Sequence, residues 1–190
     1  MTEGIPLTTD WTPVKLRVED YLLLDEAGAF DGYGRTELIE GNVVYMNAQH
    51  RPHARIKSRL HVLLANAFSA RDDGLEALVE GSVAMPPHNV PEPDIAVTRE
   101  PEGTGLIPLS SLVLVIEVSD TTLKTDLGPK LTLYASASVP EYWVVDVESR
   151  SIHGFSDPAD GAYRKERVFP FGQPVAAATI SGLEIATTTL

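Results

Sequence analysis

The 190-residue chain contains no cysteine, which excludes disulfides, thiolate metal sites and a cysteine nucleophile and leaves any metal to oxygen or imidazole ligands. No apolar run approaches the roughly 20 residues that a membrane-spanning helix needs. The opening MTEGIPLTTDWTPVK carries acids and prolines where a secretory signal needs a basic start and an unbroken apolar stretch, so a cytoplasmic protein is expected. Basic residues are scarce: 15 Lys and Arg face 27 Asp and Glu, for a net charge of -12. That balance argues against non-specific coating of nucleic acid, whose affinity comes mostly from phosphate neutralisation. The deficit is uneven, since Arg51, Arg55, Lys57, Arg59 and Arg71 fall in a stretch, 50–71, that has no acid, and one locally positive face could result. Nucleotide-binding glycine loops are missing too, because GSVAMPPHN and DGYGR lack GxGxxG or GxxxxGK spacing.

What is present, 43% hydrophobic and 22% charged residues, suits a single globular domain over 1–190, with 1–17 as an N-terminal extension. Helical spacing over 17–29, closing near Gly28, predicts a short helix. TELIEGNVVYMN, 36–47, alternates like a hairpin turning at Gly41 and Asn42. From His53 to about Ala70, a stripe of His53, Ile56, Leu60, Leu63, Leu64 and Ala67 predicts an amphipathic helix with Arg55 and Arg59 facing away. Strands are expected over 75–85, in DIAVT from Asp94, in LVLVIEVS from Leu112 and in EYWVVDV, with a surface loop over 100–111. A helix is expected over 125–138, capped by Thr125 or Asp126 with Pro129 in its first turn. SIHGFSD and AYRKERVF read as a closing hairpin, and the tail from Gln173 fits either a strand or irregular structure. This order predicts an α/β domain with a mixed sheet flanked by helices.

The chemistry starts at LVLVIEVSD, 112–120, a buried-strand pattern broken by Glu117. A carboxylate at the mouth of a buried strand is costly unless it is paired, hydrogen-bonded or bound to a metal. Asp94, which opens the preceding strand, is the candidate companion: on neighbouring strands the two acids would converge at one end of the sheet and could hold a hard cation such as magnesium. Acids at strand ends also reach solvent or pair with a lysine. Lys130 would stand beside Glu117 as a point charge that orients an attacking water or neutralises an oxyanion; alternatively it is a solvated lysine paired with Asp126 across one turn. His53 is either a site residue or a hydrogen-bonded core histidine. Of Glu37 and Glu40 only one can point inward, because strand side chains alternate. Arg51, Arg55 and Arg59, at i,i+4 spacing, either meet phosphates or form the wet side of their helix. Tyr142 and Trp143 read as core and rim aromatics.

ELIEG, the His53 helix, VPEPDIAV and LVIEVSDTTLKTDLGPKLTLYASASVPEYWVVD, in that order over roughly 18–182, resemble the bacterial Uma family of restriction-endonuclease-like proteins, which is similar to the PD-(D/E)XK nuclease superfamily. The resemblance implies a restriction-endonuclease-like mixed β-sheet flanked by helices, with magnesium or manganese as cofactor and nucleic acid, DNA foremost, as substrate. It implies that Asp94 and Glu117, with the Val118 carbonyl, hold the metal, and that His53 and Glu37 line the catalytic site. Ser119 stands where the superfamily has lysine, two places after the glutamate, and the resemblance offers Lys130 as the substitute that assists the water. Arg51, Arg55 and Arg59 would then bind substrate, and a homodimer would suit cleavage of both strands. Two rivals remain: a nuclease-fold interaction or regulatory module without turnover, and a metal-dependent hydrolase of a small phosphoester. Ser138 replaces a glycine found in many relatives, at a helix end where left-handed backbone suits glycine.

Overall fold

The structure is a computed structural model that describes residues 12–46 and 48–190. The described residues divide into two compact units, the smaller built from 12–46 with 86–90, the larger from 48–85 with 91–190. The expected hairpin residue Asn47 and the first part of the N-terminal extension, 1–11, lie outside the described residues.

In the smaller unit α1 (Val18–Glu26) has Glu19 and Asp20 in its first turn, where acids favour the positive end of the helix dipole. The Arg17 amide donates to Asp20 Oδ2 at 2.9 Å, and Gly28, at φ 75°, closes the helix as expected. Strands β1 (Thr36–Ile39) and β2 (Asn42–Tyr45) form the expected hairpin. Its turn falls on Glu40 and Gly41, both at positive φ (49° and 76°), one residue earlier than expected, because two consecutive left-handed residues match the twist of the flanking strands. Leu38 and Val90 exchange backbone hydrogen bonds of 3.1 and 2.7 Å, which ties 86–90 to β1.

The larger unit runs α2 (Arg51–Ser69), β3 (Glu76–Val79), β4 (Val83–Ala84), β5 (Ile95–Thr98), β6 (Ile107–Pro108), β7 (Leu112–Ser119), α3 (Leu123–Asp126), α4 (Pro129–Ser136), β8 (Glu141–Asp146), β9 (Ser151–Ala159), β10 (Ala162–Pro170), β11 (Pro174–Ala176) and β12 (Glu184–Ala186). Six strands make one sheet in the order β10-β9-β8-β7-β5-β3. Only the β7–β8 pair in it is parallel, which makes the sheet mixed. Every residue of β7 and β8 is buried. Alternation sends Ile95, Val97, Ile116 and Val118 to the face packed by Ile56, Leu60, Leu64 and Phe68 of α2, and sends Ala96, Val115, Tyr142 and Val144 to the face packed by Tyr134 of α4. Each Val, Leu, Ile or Phe among them contributes about 1.5–3 kcal/mol when fully buried. This is the α/β arrangement, a mixed sheet flanked by helices, that the element order predicts.

Several elements differ in detail. The single strand expected over 75–85 is two, β3 and β4, because Glu80 at φ 55° leaves the extended region between them. The single helix expected over 125–138 breaks into α3 and α4, since Pro129 has no N–H to continue the ladder and its ring would clash with the carbonyl four residues back. Gly128 fits that break: a Cβ there would lie 2.6 Å from the Lys124 carbonyl oxygen. Neither Thr125 nor Asp126 caps the helix; Asp126 is itself the buried last residue of α3. The 100–111 loop carries β6, which pairs in parallel with β4, and a 3-10 turn over Leu109–Ser111. The tail resolves into the β11–β12 hairpin, whose Val175 and Ile185 join the α2 core. Ser138 adopts φ 59°, the glycine-like geometry anticipated. Among the described residues no helix is long and apolar enough to cross a membrane.

Candidate active site

The β5–β7 register pairs Ile95 with Ile116, so the next step sets Asp94 against Glu117. The join is tight: the Val118 amide donates to Asp94 Oδ2 at 2.8 Å, so that this carboxylate takes the acceptor position that a ladder carbonyl would otherwise fill. N–H and C=O of one strand residue face the same neighbour, and the Val118 carbonyl therefore points toward the same edge as Asp94. Both acids are buried.

Each carboxylate is held from a different helix. Glu117 Oε1 accepts from Lys130 Nζ at 2.8 Å and from Tyr134 Oη at 2.9 Å, both on α4. Lys130 thus reaches the acid, and the alternative of a solvated lysine paired with Asp126 falls: its side chain is only 12% exposed. On the other side of the sheet, α2 supplies His53, whose Nε2 lies 3.0 Å from Asp94 Oδ2. A carboxylate only accepts, so Nε2 carries the proton, while His53 Nδ1 is buried with no hydrogen-bond partner among the described residues. The larger unit therefore holds two pairs, His53 with Asp94 and Lys130 with Glu117, on backbone positions that the β5–β7 register sets opposite each other. Glu37 is carried by the smaller unit, buried in β1 opposite Val44; Glu40 is exposed in the turn, so Glu37 is the inward acid of that pair.

Lys57 does not belong to the positive face expected over 50–71. It is buried on α2, with Nζ 3.4 Å from Asp94 Oδ1, 2.6 Å from Gln49 Oε1 and in short contact with Glu80 Oε1. Arg59 and Arg71 are also engaged, the first with the Thr189 carbonyl at 2.5 Å, the second with Asp73 at 2.6 Å and the Ser181 carbonyl at 3.0 Å. Arg51 and Arg55 are exposed. Lys57, Tyr134 and Glu80 were not expected in this neighbourhood, although Lys57 and Tyr134 each stand one helical turn after His53 and Lys130.

Ser119 donates to Asp126 Oδ2 at 2.7 Å, and Thr122 Oγ1 donates to the same oxygen at 2.5 Å. Burial pushes the Asp126 carboxyl above its ordinary range; the two hydroxyls and the Lys130 charge pull the other way, and the Asp94 charge adds to the rise. Tyr142 Oη donates to the Asp126 carbonyl at 3.0 Å, and burial, then the Glu117 and Asp126 charges, hold this phenol well above its ordinary range. Tyr142 and Trp143 are both core residues.

Among the described residues no three His, Cys, Asp or Glu side chains converge as a metal-holding group. Two carboxylates and a backbone carbonyl nevertheless suit magnesium, which keeps several of its waters and takes one or two carboxylates.

A six-stranded mixed sheet flanked by helices is the fold class that the chain shares with restriction-endonuclease-like proteins. The Uma2 family model, described as "Putative restriction endonuclease", matches residues 18–188, and the chain belongs to that family. Among solved structures it is similar to one titled as a putative nuclease belonging to DUF820 from Anabaena variabilis ATCC 29413, at 17% identity over 93% of this chain and 96% of that one, with a TM-score of 0.66. That likeness concerns the fold. No curated protein matches the chain.

Proposed function

We propose that this protein is a metal-dependent endonuclease that hydrolyses phosphodiester bonds in nucleic acid, DNA foremost. The observation that carries the reading is the opposition of Asp94 and Glu117 across β5 and β7, with Lys130 on Glu117. Asp94, Glu117 and the Val118 carbonyl would hold magnesium or manganese. Such a cation, when bound, neutralises phosphate charge and acidifies water. Lys130, 2.8 Å from Glu117, is placed to orient the attacking water and to balance charge that develops on the phosphate. His53 holds Asp94 in position; Glu37, carried by the smaller unit, enters the proposal from the family resemblance and not from a contact. Arg51 and Arg55, exposed at the start of α2, offer phosphate contacts on an otherwise acidic chain; Arg59, bound to the tail, contributes less. A homodimer would allow two such sites to cut both strands.

The rival, a nuclease-fold interaction module without turnover, rests on Ser119 replacing the usual lysine. Lys130 weakens it, since an ammonium reaches Glu117 all the same. Purified protein with magnesium or manganese, tested on single- and double-stranded DNA and RNA, should cleave at least one of them, and Asp94→Ala and Glu117→Ala should abolish the cleavage. Folded protein that cuts none of them would establish the rival.

A further inference from the structure

Besides His53, Asp94 has a cationic neighbour, Lys57, that the proposed chemistry does not use. Lys57 reaches it from α2 while Lys130 serves Glu117 from α4, on the opposite face of the sheet. A buried ammonium needs compensation. Here it is shared: Lys57 Nζ is in short contact with Glu80, donates to Gln49 Oε1 at 2.6 Å, and stands farther off, at 3.4 Å, from Asp94 Oδ1. Glu80 is placed for this by the backbone. Its φ of 55° ends β3, its amide donates to the Asp94 carbonyl at 3.2 Å, and its carboxylate accepts a further bond from Gln49 Nε2 at 2.9 Å.

We propose that Lys57 is an internal counterion that competes with the divalent metal for Asp94, and that Glu80 and Gln49 set its strength by holding the ammonium partly away. The inference rests on the metal reading above and adds a determinant of metal affinity to it. Like charges a few ångströms apart repel, so a cation on Asp94 Oδ1 must either displace Lys57 or bind beside its charge. The more firmly Glu80 holds Lys57, the less Asp94 is occupied by it. Lys57 is a positioning residue here, not a catalytic one, for it is buried and its polar contacts among the described residues are with the side chains of Glu80, Gln49 and Asp94.

The two ends of this device make opposite predictions. Manganese titrated calorimetrically into the full-length protein should bind about tenfold more tightly to Lys57→Met, from which the competing charge is gone. Glu80→Gln should bind it about threefold more weakly, because the released ammonium turns to Asp94. In the double variant the Glu80→Gln effect should fall to less than half, since Glu80 acts through Lys57. A purely structural role would weaken binding in both single variants or leave both unchanged, and either result overturns the inference while Asp94→Ala, by abolishing binding, upholds the metal site. Should Lys57→Met fail to fold, Glu80→Gln decides: folded protein with unchanged affinity overturns the inference, and weakened binding supports it. Wild-type protein that takes up no manganese overturns both the metal reading and this one.

Discussion

Lys130 and Tyr134, one turn apart on α4, donate to the same oxygen, Oε1 of Glu117, at 2.8 and 2.9 Å. One is charged and the other neutral, so their removal should differ in kind. Tyr134→Phe takes away one donor from a carboxylate that keeps its ammonium and should cost about 1–3 kcal/mol in urea unfolding. A change below about 0.5 kcal/mol would mean that Glu117 does not depend on the phenol.

Lys130→Met leaves a buried carboxylate without its counter-charge. Loss of one partner of a buried pair costs about 3–5 kcal/mol, and removal of a charge that acts on the transition state costs about 100-fold or more in rate. Cleavage assays at saturating manganese should show that loss in kcat. Lys130→Arg should restore stability more than rate, because a planar guanidinium does not replace a compact point charge. Equal rates in all three proteins would remove Lys130 from the chemistry.

Glu141 is a buried acid of another sort. Its carboxylate accepts from Trp143 Nε1 at 2.7 Å, from the Ala178 and Thr179 amides at 2.9 and 2.8 Å and from Thr179 Oγ1 at 2.7 Å, and so fastens the tail to β8. Glu141→Ala strands four donors and should lower stability by at least about 3 kcal/mol. Manganese affinity should stay at the wild-type value wherever the variant remains folded.

Asp126 gives a pH signature. Burial raises its carboxyl above the unfolded value of 3.8, so the folded state takes up the proton more readily. The contribution of this group to stability is therefore fully present below pH 3.8 and is lost as pH rises through the raised folded value. Asp126→Asn cannot titrate. Urea midpoints for both proteins between pH 3.5 and neutrality should show the wild type losing ground to the variant as pH rises, and a constant difference would contradict the raised value.

The strand-end acids were legible because charge within an aliphatic run demands explanation, and Lys130 because helical spacing brings it back toward that strand. Lys57 was not, although His53, Lys57, Leu60 and Leu64 form one i, i+4, i+7, i+11 stripe and hence one buried face. Composition pointed the other way, since a lysine among arginines reads as solvated. Its partner Glu80 stands 23 residues along the chain, in a turn whose left-handed backbone carries no pattern in sequence. The break between α3 and α4 was visible in Gly128-Pro129, but tolerance of proline in a first turn fits a continuing helix as well as a new one.

A crystal of the protein soaked in manganese, with diffraction recorded at the manganese absorption edge, tests the pairing of Asp94 with Glu117 most directly. The expected result is one anomalous peak bounded by those two carboxylates and the Val118 carbonyl, absent from the Asp94→Ala protein. No peak there at saturating manganese, or a peak on other residues alone, would contradict it.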